Sequence, residues 1–107
     1  MNPMTPIAIG ADVTTPAQAW AGGLGTTGLR GGTINGTTKM QWCEKPSATT
    51  GDWFDVTDSA GTVLAFTAQG IKGFNLAVGY LRWVTTGSTN PVMEVVCSGS
   101  LGNAAKP

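Results

Sequence analysis

Apolar and polar residues alternate one for one through much of this chain, and no stretch keeps apolar residues at helical spacing for three turns. In Thr37 to Cys43, TTKMQWC, an extended backbone sends Met40 and Trp42 one way and Lys39, Gln41 and Cys43 the other. That period of two marks a half-buried strand. WFDVT (Trp53 to Thr57), TVLAFT (Thr62 to Thr67) and the short run from Ile71 to Leu76 read as further strands. Asp58-Ser59-Ala60-Gly61 carries its Asp early and its Gly late, as a type I turn prefers. The strongest pattern is Gly79 to Ser98, GYLRWVTTGSTNPVMEVVCS. Two β-rich runs, Tyr80 to Thr86 and Val92 to Ser98, flank a Gly-Ser-Thr-Asn-Pro cluster. The pattern predicts a β-hairpin at the centre of the fold. Arg82 and Glu94 are expected to pair across it and fix its register.

One parity of these strands collects Trp42, Phe54, Phe66, Leu76, Leu81, Trp83, Met93 and Val95, the predicted core. Strands at intervals of about 8–12 residues with turn signals between them predict an all-β fold. The expectation is a small antiparallel β-sandwich, jelly-roll or Ig-like, over residues 37–101, with 102–107 as a loose tail. Glu44 to Asp52 reads as a polar loop. The first 36 residues are less patterned: Pro3, Pro6 and Pro16 punctuate Ile7–Ile9 and Ala17–Trp20, and Gly22 to Gly36 holds seven glycines. Glycine weakens a strand through backbone entropy. Residues 1–36 therefore read as an extended arm with one or two short strands and a flexible Gly-rich loop.

Some apolar residues fall outside this core. Val92 and Val96 lie opposite Met93, Val95 and Cys97 on the last strand, and Tyr80 and Val84 flank Arg82 on the strand before it. A strand apolar on both faces is either central in a sandwich or covered by a neighbouring subunit. With Trp20 and Trp53, these residues are the interface candidates.

Composition narrows the function classes. Charged residues make up 11% of the 107 residues, against about 25% in ordinary domains; glycine and threonine, 16 of each, take their place. The formal net charge is zero. Self-repulsion keeps proteins apart, so such a surface suits a chain that packs against copies of itself. The six basic residues are scattered and matched by six acids, which argues against the basic stripe that nucleic acid requires. No apolar run approaches the roughly 20 residues of a membrane span. MNPMTPIAIG lacks the basic start and apolar centre of a signal peptide, so the chain reads as made and kept in a cytosol, at least until it is assembled into something.

Catalytic chemistry finds little to work with. The chain has no histidine, which removes the commonest general base, the usual nucleophile pairs and most zinc sites. Asp52, Asp55 and Asp58 sit three apart, but the EF-hand loop is absent, and turn capping is the default role. The GxG fragments lack the strand and helix of a phosphate loop. Cys43 and Cys97 fall on opposite parities and are expected to be free thiols. No catalytic, cofactor-binding or metal residue is expected. The alternative to a structural role is a carbohydrate-binding or adhesion module, with Trp20, Trp53 and Tyr80 as stacking platforms for sugar rings.

From Lys39 onward the pieces KMQWCEKPS, TTGDWFDVTD and AVGYLRWVTTGSTN resemble, in order, those of small β-sandwich virion proteins of tailed bacteriophages. Leu81, between Tyr80 and Arg82, departs from that pattern, and the segment before Thr37 has no counterpart in it. The resemblance implies a non-enzymatic virion protein: a capsid decoration or cement protein, a head-fibre base or a tail component. Its implied partners are copies of itself, as a homo-oligomer such as a trimer, and the major capsid protein or other virion proteins.

Overall fold

In the computed structural model, residues 4–45, 53–58 and 60–99 are described, and they form nine strands. These are β1 (Ile7–Ile9), β2 (Gln18–Trp20), β3 (Gly23–Thr33), β4 (Thr37–Cys43), β5 (Phe54–Asp55), β6 (Ala65–Phe66), β7 (Gly70–Leu76), β8 (Gly79–Thr86) and β9 (Val92–Gly99). Sheet A has the order β1-β9-β3-β7, and sheet B the order β2-β8-β4-β5, with β6 also on β4; every pairing is antiparallel. β5 and β6 flank the same edge of β4 and act as one interrupted strand. Counted so, the eight strands run 1-8-3-6 in one sheet and 2-7-4-5 in the other. This is the double Greek key of a jelly roll. The expected small antiparallel β-sandwich is the fold, in its jelly-roll form.

The expected central hairpin is not formed. β8 lies between β2 and β4 in sheet B, whereas β9 lies between β1 and β3 in sheet A. Gly87 to Pro91 crosses from one sheet to the other, a distance of about 10 Å that five extended residues span easily. Two side chains hold the crossing. The Asp12 carboxylate accepts the Gly87 and Ser88 N–H groups at 3.0 and 2.8 Å and also the Ser88 hydroxyl. Asn35 accepts the Thr89 N–H at 2.7 Å and donates to the Thr89 carbonyl at 3.1 Å. Arg82 and Glu94 are consequently on different sheets and do not pair.

The expected arm is also part of the sandwich. β1 pairs with β9, and Val13 to Thr15 together with β2 run along the free edge of β8. The glycine-rich run is β3, an 11-residue strand between β9 and β7. Gly25 shows why glycine belongs there. A Cβ at this position would come within 2.5 Å of Trp20 and 2.6 Å of Phe74, whose rings pack at 5.0 Å. The turn at Asp58 does close as its residues suggest: Gly61 N–H donates to the Asp58 carbonyl at 2.9 Å. The predicted Glu44 to Asp52 loop beyond residue 45, and the 102–107 tail, lie outside the described residues.

The core between the sheets contains Ile9, Trp20, Leu29, Met40, Leu64, Phe66, Leu81, Trp83, Met93 and Val95 among its buried side chains. Phe66, Leu81, Trp83, Met93 and Val95 are thus where the strand parities put them. Trp42 and Leu76 are only half-buried against this core. Phe54 is a correction: it is 62% exposed. β5 lasts two residues, after which Val56 bonds to the Met40 carbonyl and dips into the core in its place. Phe54 instead leans on Trp42, with ring centroids 6.3 Å apart.

Threonine supplies the polar side of this interior. Thr15, Thr27, Thr38 and Thr85 are buried. Trp83 Nε1 donates to Thr27 Oγ1 at 3.2 Å, and Thr27 Oγ1 donates to the Val96 carbonyl at 2.9 Å. Thr15 Oγ1 accepts the Trp83 backbone N–H at 3.0 Å, and the Thr38 and Thr85 hydroxyls bond at 2.8 Å. No buried side-chain N or O among the described residues lacks a partner, so these groups avoid the cost of an unmade bond. Removing Trp83, which is fully buried, with Trp83→Ala is expected to cost about 3–5 kcal/mol in urea unfolding. Trp42→Ala is expected to cost clearly less, and equal losses would show that Trp42 works as a full core residue.

Candidate functional site

With the interior filled, what the sandwich offers a partner is its two outer faces. The six interface candidates do not converge on either. Trp20 is 2% exposed, a core residue whose Nε1 donates to the Leu76 carbonyl at 3.3 Å. Trp53 is 9% exposed beneath Arg82, whose guanidinium carbon lies 4.4 Å from the ring centroid. Tyr80 and Val84 lie on the outer face of sheet B, whereas Val92 and Val96 lie on the outer face of sheet A. The single apolar face expected from a hairpin is therefore two half-faces on opposite sides of the molecule.

The outer face of sheet B is covered by the chain's own groups. The register sets Lys39 beside Val84, Gln41 beside Arg82 and Cys43 beside Tyr80, with Asp55 of β5 against Gln41. Lys39 Nζ lies 3.0 Å from Asp55 Oδ1. Gln41 Nε2 donates to the same oxygen at 2.9 Å, and Arg82 Nε donates to Gln41 Oε1 at 2.7 Å. This chain of bonds ends at the Arg82–Trp53 contact, a cation–π pair. The Gln41 hydrogen bond, then the Lys39 bond and charge, hold the Asp55 carboxyl below the usual carboxylate range. At the start of the crossing, just after β8, the Ser88 and Gly87 bonds do the same for Asp12.

Among the described residues, sheet A has the more open outer face. Its side chains form rows across the strands: Ala8, Glu94 and Arg30; then Val96, Gly28 and Ile71; then Ser98, Thr26 and Gly73. Ile71 is 75% exposed, Val92 63% and Leu24 51%. Arg30 Nε and Glu94 Oε2 form an ion pair at 2.6 Å, which is the partner Glu94 takes in place of Arg82. Sequence reasoning missed Arg30 on this face because it read the glycine run around it as a loop; it placed Ile71 on a short strand but named no face for it. The usable signal was the alternation of Gly25, Thr27 and Leu29 against Leu24, Thr26, Gly28 and Arg30.

The remaining chemical candidates stay apart. Among the described residues no group of three or more His, Cys, Asp or Glu is placed to hold a metal ion. Asp58 accepts the Ala60 and Thr62 N–H groups of its own turn; Asp52 lies outside the described residues. Cys43 and Cys97 are both free and buried. Cys43 belongs to the outer parity of sheet B, where its thiol donates to Glu44 Oε1 at 3.3 Å. Cys97 faces the core, and burial pushes its thiol up to about 11. A thiol so placed is protonated at neutral pH and is a poor nucleophile. No helix among the described residues is long and apolar enough to cross a membrane.

Comparison of the chain with protein-family models, with curated proteins and with solved structures finds no match. Its function is therefore argued from its faces.

The depressed carboxyls of Asp55 and Asp12 set a pH dependence. A group whose folded-state pKa lies below its unfolded value adds stability that is present above the unfolded value, near pH 3.9, and is lost as pH falls through the folded one. Melting curves of the wild type and Asp55→Asn are expected to differ at neutral pH and converge in acid, below about pH 4. A gap that does not change with pH would show that the Asp55 charge contributes nothing.

Proposed function

We propose that this chain is a non-enzymatic structural protein of a bacteriophage particle, a capsid decoration or cement subunit that binds the shell and copies of itself. The observation that carries the reading is the contrast between the two outer faces. One is covered by Trp53 and a closed chain of polar bonds; the other is an open sheet of small residues from which Ile71 and Val92 project. Exposed apolar patches on small proteins mark interaction surfaces. Jelly rolls occur in viral capsid and lectin domains, so the fold alone does not choose between these roles. The sequence resemblance and the charge-poor composition favour the particle. The mechanism is additive: each bound copy removes apolar surface from water and ties together the shell subunits beneath it.

The carbohydrate-binding alternative needs exposed ring faces. The rings of Trp20 and Trp53 are buried, and Tyr80 is half-buried, which leaves that reading without two of its three platforms. The test is to mix the purified chain with expanded phage capsids and sediment them, and to screen it in parallel on a glycan array. Saturable co-sedimentation with capsids is expected, with no glycan binding. Glycan binding without capsid binding would replace this proposal with the lectin-like one.

A further inference from the structure

We infer that the outer face of sheet A is where a second copy of the chain docks, face to face, about a two-fold axis running along the strands between β3 and β9. The inference rests on the particle-subunit reading, in which copies meet, and it names the surface and the symmetry.

The argument starts from register. β3 and β9 are the two central strands of sheet A, and Arg30 lies directly opposite Glu94, as Gly28 lies opposite Val96. A two-fold axis between these strands exchanges them. It sets Arg30 of one copy above Glu94 of the other, and Val96 of one copy above Gly28 of the other. Both matches occur twice, as a self-complementary interface requires. The charges agree, because each copy offers one cation and one anion at exchangeable positions, 56% and 37% exposed.

The apolar surface agrees as well. Gly28 has no side chain and is buried, because Ile71 and Val96 of the same copy close over it: a Cβ there would meet Ile71 Cγ2 at 2.9 Å, the Gly70 carbonyl at 3.0 Å and Val96 Cγ2 at 3.4 Å. The two-fold axis therefore sets Val96 of one copy against the apolar roof that Ile71 and Val96 of the other form over Gly28. Ala8, Thr26, Gly73 and Ser98 keep the surrounding face low. Four strands about 4.8 Å apart, from three residues in β1 to 11 in β3, give the face an area of roughly 400–500 Å² per copy before side-chain relief is counted. Two such faces bury on the order of 1,000 Å² in total, the lower bound for a specific interface.

Edge pairing through β7 is the competing way for two copies to meet, and the fold blunts it. Lys72 sits in the middle of that edge strand on the core-side parity, opposite Thr27, with its amine 5.5 Å from the Phe66 ring centroid. An inward-pointing charge is a recognised guard against edge-to-edge association.

The test is a charge exchange read by sedimentation equilibrium of the full chain. The wild type is expected to dimerise. Arg30→Glu makes the face doubly acidic and Glu94→Arg makes it doubly basic, so each alone is expected to dimerise at least about tenfold more weakly. An equimolar mixture of the two is expected to regain the wild-type affinity as a heterodimer. Ile71→Asp provides a second disruption that leaves the ion pair intact, and Val78→Asp, at an exposed position in the β7–β8 turn, is expected to leave the dimer unchanged. Melting temperatures identify any variant that fails to fold. The inference is overturned by a monomeric or trimeric wild type, by folded variants that dimerise as the wild type does, or by a mixture that stays monomeric. Capsid sedimentation separates the two proposals. A monomer that still coats capsids removes this interface and leaves the particle function, whereas a dimer that ignores capsids does the reverse.

Discussion

The hydrogen bond from Trp83 to Thr27 fixes how the two sheets face one another. Trp83 stands on β8 in sheet B and Thr27 on β3 in sheet A, and both side chains are wholly buried. An indole N–H enclosed this deeply needs an acceptor, since leaving it unmade costs more than the bond itself contributes. The Thr27 hydroxyl accepts it and donates its own hydrogen bond to the Val96 carbonyl. These two linked bonds set the relative position of β8, β3 and β9. Trp20 repeats the arrangement at the sandwich margin, reaching from β2 to the Leu76 carbonyl on β7. A purely apolar interface between the sheets would allow them to slide; indole donors aimed at particular oxygens do not.

This also explains what the composition meant. Most of the described threonines are exposed, but Thr15, Thr27, Thr38 and Thr85 are interior residues paired with Trp83 or with each other. Within single strands the sequence was legible. The parities of β4, β8 and β9 place Met40, Leu81, Trp83, Met93 and Val95 inward, and the fold class follows from strand spacing. What local pattern could not carry was partnership. A Gly-Ser-Thr-Asn-Pro cluster turns a hairpin or carries a strand to the opposite sheet, and the residues that decide, Asp12 and Asn35, lie more than 50 positions away. Gly25 was unreadable for the same reason, because its meaning depends on Trp20 and Phe74 arriving against it.

The candidate surface shared that fate. Tyr80, Val84, Val92 and Val96 do point away from the core, as their parity requires, but the crossing between β8 and β9 sends the two pairs to opposite sides. Each pair then meets a different neighbourhood. Tyr80 and Val84 sit beside Arg82 and the side chains bonded to it, whereas Val92 and Val96 sit on an open sheet whose charges are Arg30 and Glu94. The two faces therefore differ in finish: one is tied together by side-chain bonds, and the other carries exposed Ile71 and Val92 around a single ion pair.

The interleaving of β9 between β1 and β3 bears on how the chain reaches this state. Sheet B draws its strands from residues 18–86, so all of them are synthesised before β9 emerges. Sheet A is missing its middle until then: β1 has no partner, and β3 has only β7. Contacts so distant in sequence form slowly, and unpaired strand edges invite wrong pairing while they wait. Late arrival of β9 makes sheet B the natural template and sheet A the final closure. The face that closes last is the outer face of sheet A, so the row that sets Arg30 beside Glu94 exists only once the whole chain has been made.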